Sequence, residues 1–213
     1  MKRQHNQIPD QEFRYINAPA LIEEEERAEG KKGTLIRGTA VFFDQLSRNL
    51  GWFREKFERG AFDDVLKNDI VALFNHDNNL ILGRTTSNTL KVWSDDEGLH
   101  YEFEAPNTTA GRDLVESMKR GDVSQSSFSF SIQDEKWEED EEQGEIRTVL
   151  KVKRLYDVSP VVTPAYPQTV SEIAKRSYDE WKKENQKPET PPTSFIDEAI
   201  ETDVELRKLI LDQ

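Results

Sequence analysis

Two long alternating stretches joined by an acidic run dominate the second half of the chain. The first begins in GDVSQSSFSFSI (residues 121–132) and continues to about Trp137, and the second is IRTVLKVKRLYDVSPVVTP (residues 146–164). Side chains alternate between the two faces of a strand, and β-branched and aromatic residues favour strands. The run EEDEEQGE between the stretches is typical of an exposed turn. We therefore predict an antiparallel pair of long strands and a fold of the α+β class that is mostly β.

The first of these stretches separates its aromatic and hydroxyl side chains. Phe128, Phe130 and Ile132 fall on one face of the predicted strand, and Ser127, Ser129 and Ser131 fall on the other. Such a row of hydroxyls is either a solvent-facing ladder or the setting of one nucleophilic serine. Periodicity alone favours the solvent-facing ladder.

Shorter patterns predict the other elements. Strands are expected at residues 13–22, 33–43 and 69–77 and in a hairpin over residues 90–104, whereas EEEERAEGKKG (residues 23–33) has the composition of an exposed turn. In the strand at residues 69–77, alternation places Ala72, Phe74 and His76 on one face. Helical spacing predicts helices in residues 60–67 and 108–121 and again after the capping pair Thr169 and Glu172.

One domain with solvated tails is the expected organisation. Hydrophobic residues make up 35% of the 213 residues and charged residues 33%, which is poor for burial over the whole length. We predict a disordered N-terminus (residues 1–12) and a single domain (residues 13–182). A linker follows (residues 183–193) that contains the proline-rich KPETPPT, and the chain ends in an acidic amphipathic helix or tail (residues 194–213).

Composition excludes several classes of function. A net charge of −13 argues against a surface for DNA or RNA, which is built from clustered lysine and arginine. The absence of cysteine excludes disulfides, thiolate metal sites and a cysteine nucleophile, and it fits a reducing cytoplasm. No apolar run approaches the roughly 20 residues that span a bilayer. We expect no nucleic acid, membrane or cofactor as a partner.

The histidines are few enough to weigh singly. His5 lies in a polar terminus and His100 on the polar face of a strand, so both are expected to be solvated. His76 ends the apolar run VALFNHD, where it is either a hydrogen-bonded core residue or a catalytic group. A metal site around it lacks cysteine and a second histidine at a ligating spacing. A metal-assisted hydrolase built on His76 and Asp77 is therefore a weak alternative, and no G-x-S-x-G motif marks a serine.

Four blocks of sequence occur in one order over residues 13–177. They are GTAVFF with GWFREKFERGAF, VALFNHD with LGR, GDVSQSSFSF, and LYDVSPVVTPAYPQT. In this order they resemble the prohead (capsid maturation) serine proteases of tailed phages, which belong with the herpesvirus assemblins. The resemblance implies an antiparallel β-barrel-like core surrounded by helices. One departure is Ser129, which stands between the two phenylalanines where that family often has glycine.

The resemblance also implies a catalytic set. Ser127, directly before the first phenylalanine, would be the nucleophile, and His76 the general base. Asp157 would orient the histidine and stabilise its charge. Because the herpesvirus relatives use a second histidine in that role, His100 is the alternative third member. Arg84 in LGR could position an oxyanion donor, although a structural ion pair is the simpler interpretation.

The implied activity is that of a serine endopeptidase working through an acyl-enzyme. Its substrates would be the scaffold protein or the scaffolding segment of the capsid protein, and its own chain, during head maturation. It would act in the host bacterial cytoplasm, inside the immature procapsid, and whether it forms a homodimer is left open. The alternative is a non-catalytic acidic protein of capsid assembly, in which the serine row is only a polar strand face.

Overall fold

The computed structural model describes residues 10–26, 32–162 and 172–185. The chain divides into two compact units, Met1–Lys175 and Arg176–Gln213, and the described strands all lie in the first unit. These strands are Glu12–Glu26 (β1), Lys32–Phe42 (β2), Phe53–Phe57 (β3), Val71–Phe74 (β4), Asp77–Arg84 (β5), Lys91–Ser94 (β6), Gly98–Glu104 (β7), Gln125–Asp140 (β8) and Gly144–Val161 (β9). The described helices are Thr109–Lys119 (α1) and Glu172–Asn185 (α2), and short 3-10 turns cover Asp63–Val65 and Thr85–Ser87.

The strands form a nine-stranded sheet whose order is β5, β4, β9, β8, β1, β2, β7, β6, with β3 also paired to β9. Neighbouring strands are antiparallel, except that β3 and β4 run parallel to β9. The prediction of a mostly β fold is confirmed. Apart from α2, the described residues contain one α-helix and the two 3-10 turns, so a core surrounded by helices is not confirmed.

The predicted long hairpin is present as β8 and β9. These strands pair from Gln125 opposite Val161 to Asp140 opposite Gly144. Phe128 and Phe130 on β8 are fully buried in the hydrophobic core, where the ring of Phe57 meets both of them edge to face. Burial of these aromatic side chains fixes which face of the hairpin packs inward.

The serine face of β8 is buried as well, so the solvent-facing interpretation is wrong. Ser127 and Ser129 have no exposed surface, and Ser131 is 3% exposed. Periodicity separates the two faces of a strand but does not show what covers the polar one. A buried hydroxyl requires a hydrogen-bond partner, so this face must meet other polar groups.

Strand β1 has two neighbours in succession. Its first part, Glu12–Ile16, pairs with β8, and its second part, Ala20–Glu26, pairs with β2. The register shifts between Ile16 and Pro19. The sequence predicted a strand that ends at residue 22 and then a turn, but the ladder with β2 continues to Glu26. Backbone pairing tolerates exposed charged side chains on a strand, which is why the acidic run could be mistaken for a turn.

Four charged side chains from three strands are buried together. They are Glu12 and Arg14 from β1, Glu55 from β3 and Arg147 from β9. Arg14 reaches Glu55 through Nε at 2.6 Å and Glu12 through Nη2 at 2.6 Å. Arg147 reaches Glu55 through Nε at 2.7 Å and Glu12 through Nη2 at 2.8 Å. Each carboxylate of this charge cluster therefore lies between two guanidinium groups.

Electrostatics keeps the charge cluster ionised. Burial alone would raise the pKa of Glu12, but the neighbouring guanidinium groups of Arg14 and Arg147 outweigh it and hold that pKa far below its usual range. Burial likewise disfavours charged Arg147, yet Glu55 and Glu12 raise its pKa. At the margin of the cluster, burial raises the pKa of Glu135.

The remaining predictions divide into those that the described residues cover and those that they do not. The hairpin of β6 and β7, the helix α1 and a helix after residue 172 are confirmed. The helix predicted over residues 60–67 is wrong in extent, because only the 3-10 turn Asp63–Val65 forms there. The predicted N-terminal segment up to residue 9, the linker from residue 186 and the segment 194–213 lie outside the described residues. Among the described residues, no helix has the length and apolar character needed to cross a membrane.

Replacing Arg147 by methionine is expected to lower the free energy of unfolding by about 3–5 kcal/mol, because Glu12 and Glu55 would stay buried with one guanidinium group fewer. Urea unfolding followed by tryptophan fluorescence measures the change. Lys151→Met is the matched control on the same strand, because Lys151 pairs with Asp64 in an exposed contact, and it should change stability by no more than about 0.5 kcal/mol. Equal stability of the two variants would contradict a structural role for the cluster.

Candidate active site

Ser127 lies in the interior of the sheet. On β8 it stands opposite Tyr15 of β1 on one side and opposite Ser159 of β9 on the other. Its hydroxyl donates to the backbone carbonyl of Arg14 at 2.9 Å. It also lies 2.5 Å from Nε2 of His76. A strand residue is rigidly held, so the position of this hydroxyl follows from the pairing of three strands.

His76 occupies the tip of a tight hairpin. Strand β4 ends at Phe74 and β5 begins at Asp77, and these two residues pair with each other. The two residues between them, Asn75 and His76, have φ angles of 52° and 58°. Positive φ at both central positions is the signature of the type I′ turn, which suits the twist of a hairpin and in which asparagine is favoured. The prediction that His76 shares a strand face with Ala72 and Phe74 is wrong, because the strand stops before it.

The tip of the hairpin is fastened to the end of β9. The backbone N–H of Asn75 donates to the carbonyl of Pro160 at 3.1 Å, and the Asn75 side chain accepts from the backbone N–H of Val162 at 3.0 Å. The ring of Phe13 meets the imidazole edge to face at a centroid distance of 4.9 Å. These contacts fix the imidazole above the sheet, between β8 and β9.

Asp157 completes a line of three side chains. It lies on β9 opposite Ser129 and beside Val71, and it is 4% exposed. Its Oδ1 is 2.6 Å from Nδ1 of His76. An ionised carboxylate only accepts hydrogen bonds, so this contact places the ring proton on Nδ1 and leaves the lone pair of Nε2 facing Ser127. This is the arrangement that general-base activation of a hydroxyl requires.

Two further serines hold the carboxylate of Asp157. Ser129 donates to Oδ2, and Ser159 donates to Oδ1 at 2.7 Å and lies 3.2 Å from Nδ1 of His76. Sequence reasoning treated Ser129 as an ordinary strand serine and did not single out Ser159. The signal was present in the alternation, because Ser129 follows Ser127 by two residues and Ser159 follows Asp157 by two.

The other candidate residues lie elsewhere. His100 is on β7, between Thr39 and Asp95 at 3.1 Å each, and its ring is tilted against that of Trp93 at a centroid distance of 5.5 Å. Arg84 forms an exposed bidentate ion pair with Asp69. This agrees with the interpretation that Arg84 makes a structural ion pair. His5 lies outside the described residues.

A metal centre finds no support in the described part of the chain. No group of three or more histidine, cysteine or acidic side chains is arranged there to hold a metal ion. Asp77, the residue beside His76 in the metal interpretation, accepts hydrogen bonds from both the backbone N–H and the side-chain amide of Asn79. The chemistry that these side chains offer is proton transfer to and from a hydroxyl.

Comparison with known proteins assigns the chain to a family. The sequence model of the caudovirus prohead serine proteases matches residues 21–184, which is more than half of the chain. Among solved structures, the chain is similar to the bacteriophage T4 capsid assembly protease, gp21, with a TM-score of 0.50 and 14% identity over 73% of this chain and 98% of that one. At this identity the likeness shows a shared fold. Comparison with curated proteins gives no match.

Substitutions at Asn75 are expected to separate its two contributions to the turn. Asn75→Gly keeps the positive φ and loses only the side-chain bond to Val162, whereas Asn75→Ala also has to adopt a strained backbone. We expect losses of about 1 kcal/mol for glycine and about 2–3 kcal/mol for alanine, measured by thermal unfolding. Asn79→Ala, an exposed change on the same hairpin, is the control and should cost less than either. Equal losses for alanine and glycine would contradict the role of the positive φ.

Proposed function

The chain belongs to the caudovirus prohead serine proteases, and from that membership and the geometry of the site we propose that it is a serine endopeptidase whose nucleophile is Ser127. The observation that carries the proposal is the unbroken line of short contacts from the Ser127 hydroxyl through His76 to Asp157. A hydroxyl, a base within hydrogen-bond reach and a group that orients the base are the parts that nucleophilic catalysis needs.

In the proposed acylation step, Oγ of Ser127 attacks the carbonyl carbon of the scissile peptide while Nε2 of His76 takes the hydroxyl proton. The tetrahedral intermediate collapses, the C–N bond breaks, and His76 gives the same proton to the departing amine. The other half of the substrate remains as an ester on Ser127. Water then attacks this ester with His76 again as base, which releases a carboxylic acid and restores the serine.

Asp157 is assigned the third catalytic position. When His76 gains a proton it becomes an imidazolium, and a carboxylate at its Nδ1 stabilises that charge and keeps the ring oriented. Ser129 and Ser159 donate to the carboxylate and so act as positioning residues. His100 has its own partners on β7, which favours Asp157 over it.

The biological substrates are proposed from the family and from the capsid assembly protease that the fold resembles. They are the scaffold protein or the scaffolding segment of the capsid protein, and the chain itself, cut inside the immature procapsid in the host cytoplasm. The curved antiparallel sheet is proposed to be the assemblin-like barrel. The proline-rich stretch KPETPPT (residues 187–193) is the proposed site of self-cleavage, and homodimer formation stays an open part of the proposal.

Ser127→Ala is expected to abolish processing of a capsid precursor from the same genome and of the chain itself, because it removes the hydroxyl that lies 2.5 Å from Nε2 of His76. Gel electrophoresis and mass spectrometry of the products measure the effect. Ser124→Ala is the matched control, an exposed serine that precedes the strand, and it should process at the parent rate. Undiminished processing by Ser127→Ala would favour the alternative of a non-catalytic assembly protein acted on by another protease.

Asp157→Asn is expected to lower kcat by a factor of about 10⁴, because an amide at this position can stabilise the wrong tautomer of the imidazole. His100→Gln should leave kcat at the parent value. Single-turnover cleavage of a fluorogenic peptide that contains a mapped processing site measures both variants. A large loss in His100→Gln together with a small loss in Asp157→Asn would reverse the assignment of the third position.

A further inference from the structure

The proposed nucleophile is closed off. Ser127 has no exposed surface, and the imidazole of His76 is only 9% exposed. On the side away from β9, the neighbour of Ser127 is the first part of β1, the segment Glu12–Ile16. A peptide carbonyl has to come within about 3 Å of a nucleophile before attack. In this arrangement Ser127 is not open to such an approach, and the segment is one of the elements that surround it.

The same segment competes with His76 for the serine proton. The Ser127 hydroxyl carries one hydrogen, and it has two acceptors within reach: Nε2 of His76 at 2.5 Å and the carbonyl of Arg14 at 2.9 Å. A hydrogen donated to Arg14 is not donated to the base. A backbone carbonyl beside the nucleophile, on an extended strand, is also what a bound substrate would present.

The segment is attached to the sheet in a way that permits exchange. Residues 12–16 pair with β8, and the described residues include no strand on their other side. The register shift before Pro19 separates them from the part of β1 that pairs with β2. The match to the family's sequence model begins at residue 21, after this segment. Among the described residues, the segment is thus a short strand whose paired neighbour is β8.

Departure of the segment leaves no unpaired charge behind. It would remove Glu12 and Arg14 from the charge cluster, one negative and one positive side chain. Glu55 and Arg147 would remain, and they already contact each other through Nε of Arg147 at 2.7 Å. A buried charge without a partner is strongly destabilising. Removing Glu12 and Arg14 together therefore costs less free energy than removing either of them alone.

We propose that residues Glu12–Ile16 are a resident competitor strand, which occupies the edge of β8 on which an extended substrate peptide must lie. Once the segment has left, the backbone N–H and C=O groups of β8 near Ser127 are free to pair with a peptide strand, as in other cases of β-strand addition. The site then takes an unfolded or extended stretch of protein, and cleavage depends on exchange between this stretch and the chain's own N-terminal segment. The inference rests on the proposed function, since it takes Ser127 as the nucleophile.

The test measures how fast a fluorophosphonate labels Ser127. Tyr15→Pro is the variant, because Tyr15 stands opposite Ser127 and proline removes the backbone N–H and disfavours strand geometry. The control is Asn17→Pro, at the register shift between Ile16 and Pro19 where Asn17 has no partner position on β8. We expect the fluorophosphonate to label Tyr15→Pro at least about tenfold faster than it labels the parent. A site that is accessible for about a tenth of the time reacts at about a tenth of the rate of a site that is always accessible. Asn17→Pro should label at the parent rate.

A peptide of residues 10–18 supplied in excess should return Tyr15→Pro to slow labelling, and a scrambled peptide should not. Equal labelling of Tyr15→Pro and the parent would overturn the inference and leave the proposed function standing. No labelling of any version, under conditions in which trypsin is labelled, would overturn the proposed function and the inference with it. Ser127→Ala in the Tyr15→Pro background shows whether labelling is at this serine.

If Tyr15→Pro does not fold, a measurement on the unaltered chain tests whether residues 12–16 leave β8 when Ser127 reacts. Amide hydrogen exchange of residues 12–16 is compared before and after the parent has reacted with the fluorophosphonate. Loss of protection in the labelled protein is the expected result, because the phosphonyl group takes the place of the Arg14 carbonyl beside Oγ. Unchanged protection of the segment would show that Ser127 is reached without its departure, and the inference would be wrong.

Discussion

The register between β8 and β9 is the constraint on which the site depends. Phe128 stands opposite Val158, and both side chains are fully buried in the core. The residues that flank this pair are Ser127 opposite Ser159 and Ser129 opposite Asp157. A slip of one residue would turn the serines into the core and the phenylalanines towards the imidazole. The hydrophobic effect acting on one face of the hairpin therefore fixes the polar chemistry on the other face.

Placing that chemistry inside a sheet carries a physical cost that the structure meets with hydrogen bonds. Ser127, Ser129, Ser159 and Asp157 are all buried, and each has a polar partner. Burial of unpaired hydroxyl and carboxylate groups would be strongly unfavourable, so the network has to be complete for the hairpin to be stable. The same hydrogen bonds orient the carboxylate of Asp157 towards His76 before a substrate binds. Stability of the fold and preorganisation of the site come from one set of contacts.

Local patterns in the sequence account for part of the fold, whereas β3 and β5 were not predicted. Alternation located the long hairpin, and helical spacing located α1, because those patterns express which face of each element is buried. The contacts of Ser127 with His76 were out of reach of such patterns, since they join residues 51 positions apart. The turn at His76 was missed because Asn75 and His76 directly follow the apolar run Val71–Phe74. The pattern therefore predicted that the strand continued through His76. The burial of the serine face depends on β1, which pairs beside β8, and on the hairpin tip that brings His76 to Ser127. No local pattern reports either position.

The charge cluster poses the remaining physical question, because well-packed apolar side chains at the same positions would often be at least as stable. If residues 12–16 were held by apolar side chains, their hydrophobic partners on β3 and β9 would become exposed whenever the segment left. An exposed hydrophobic strand edge promotes aggregation. The ionic anchor would behave differently, since Glu55 and Arg147 contact each other directly and would remain a pair without Glu12 and Arg14. Arg147 also lies over the rings of Phe53 and Trp137, at 5.3 and 5.7 Å, which holds it in place without the segment. A buried network with two separable halves can therefore hold a strand beside the proposed nucleophile and still permit its release.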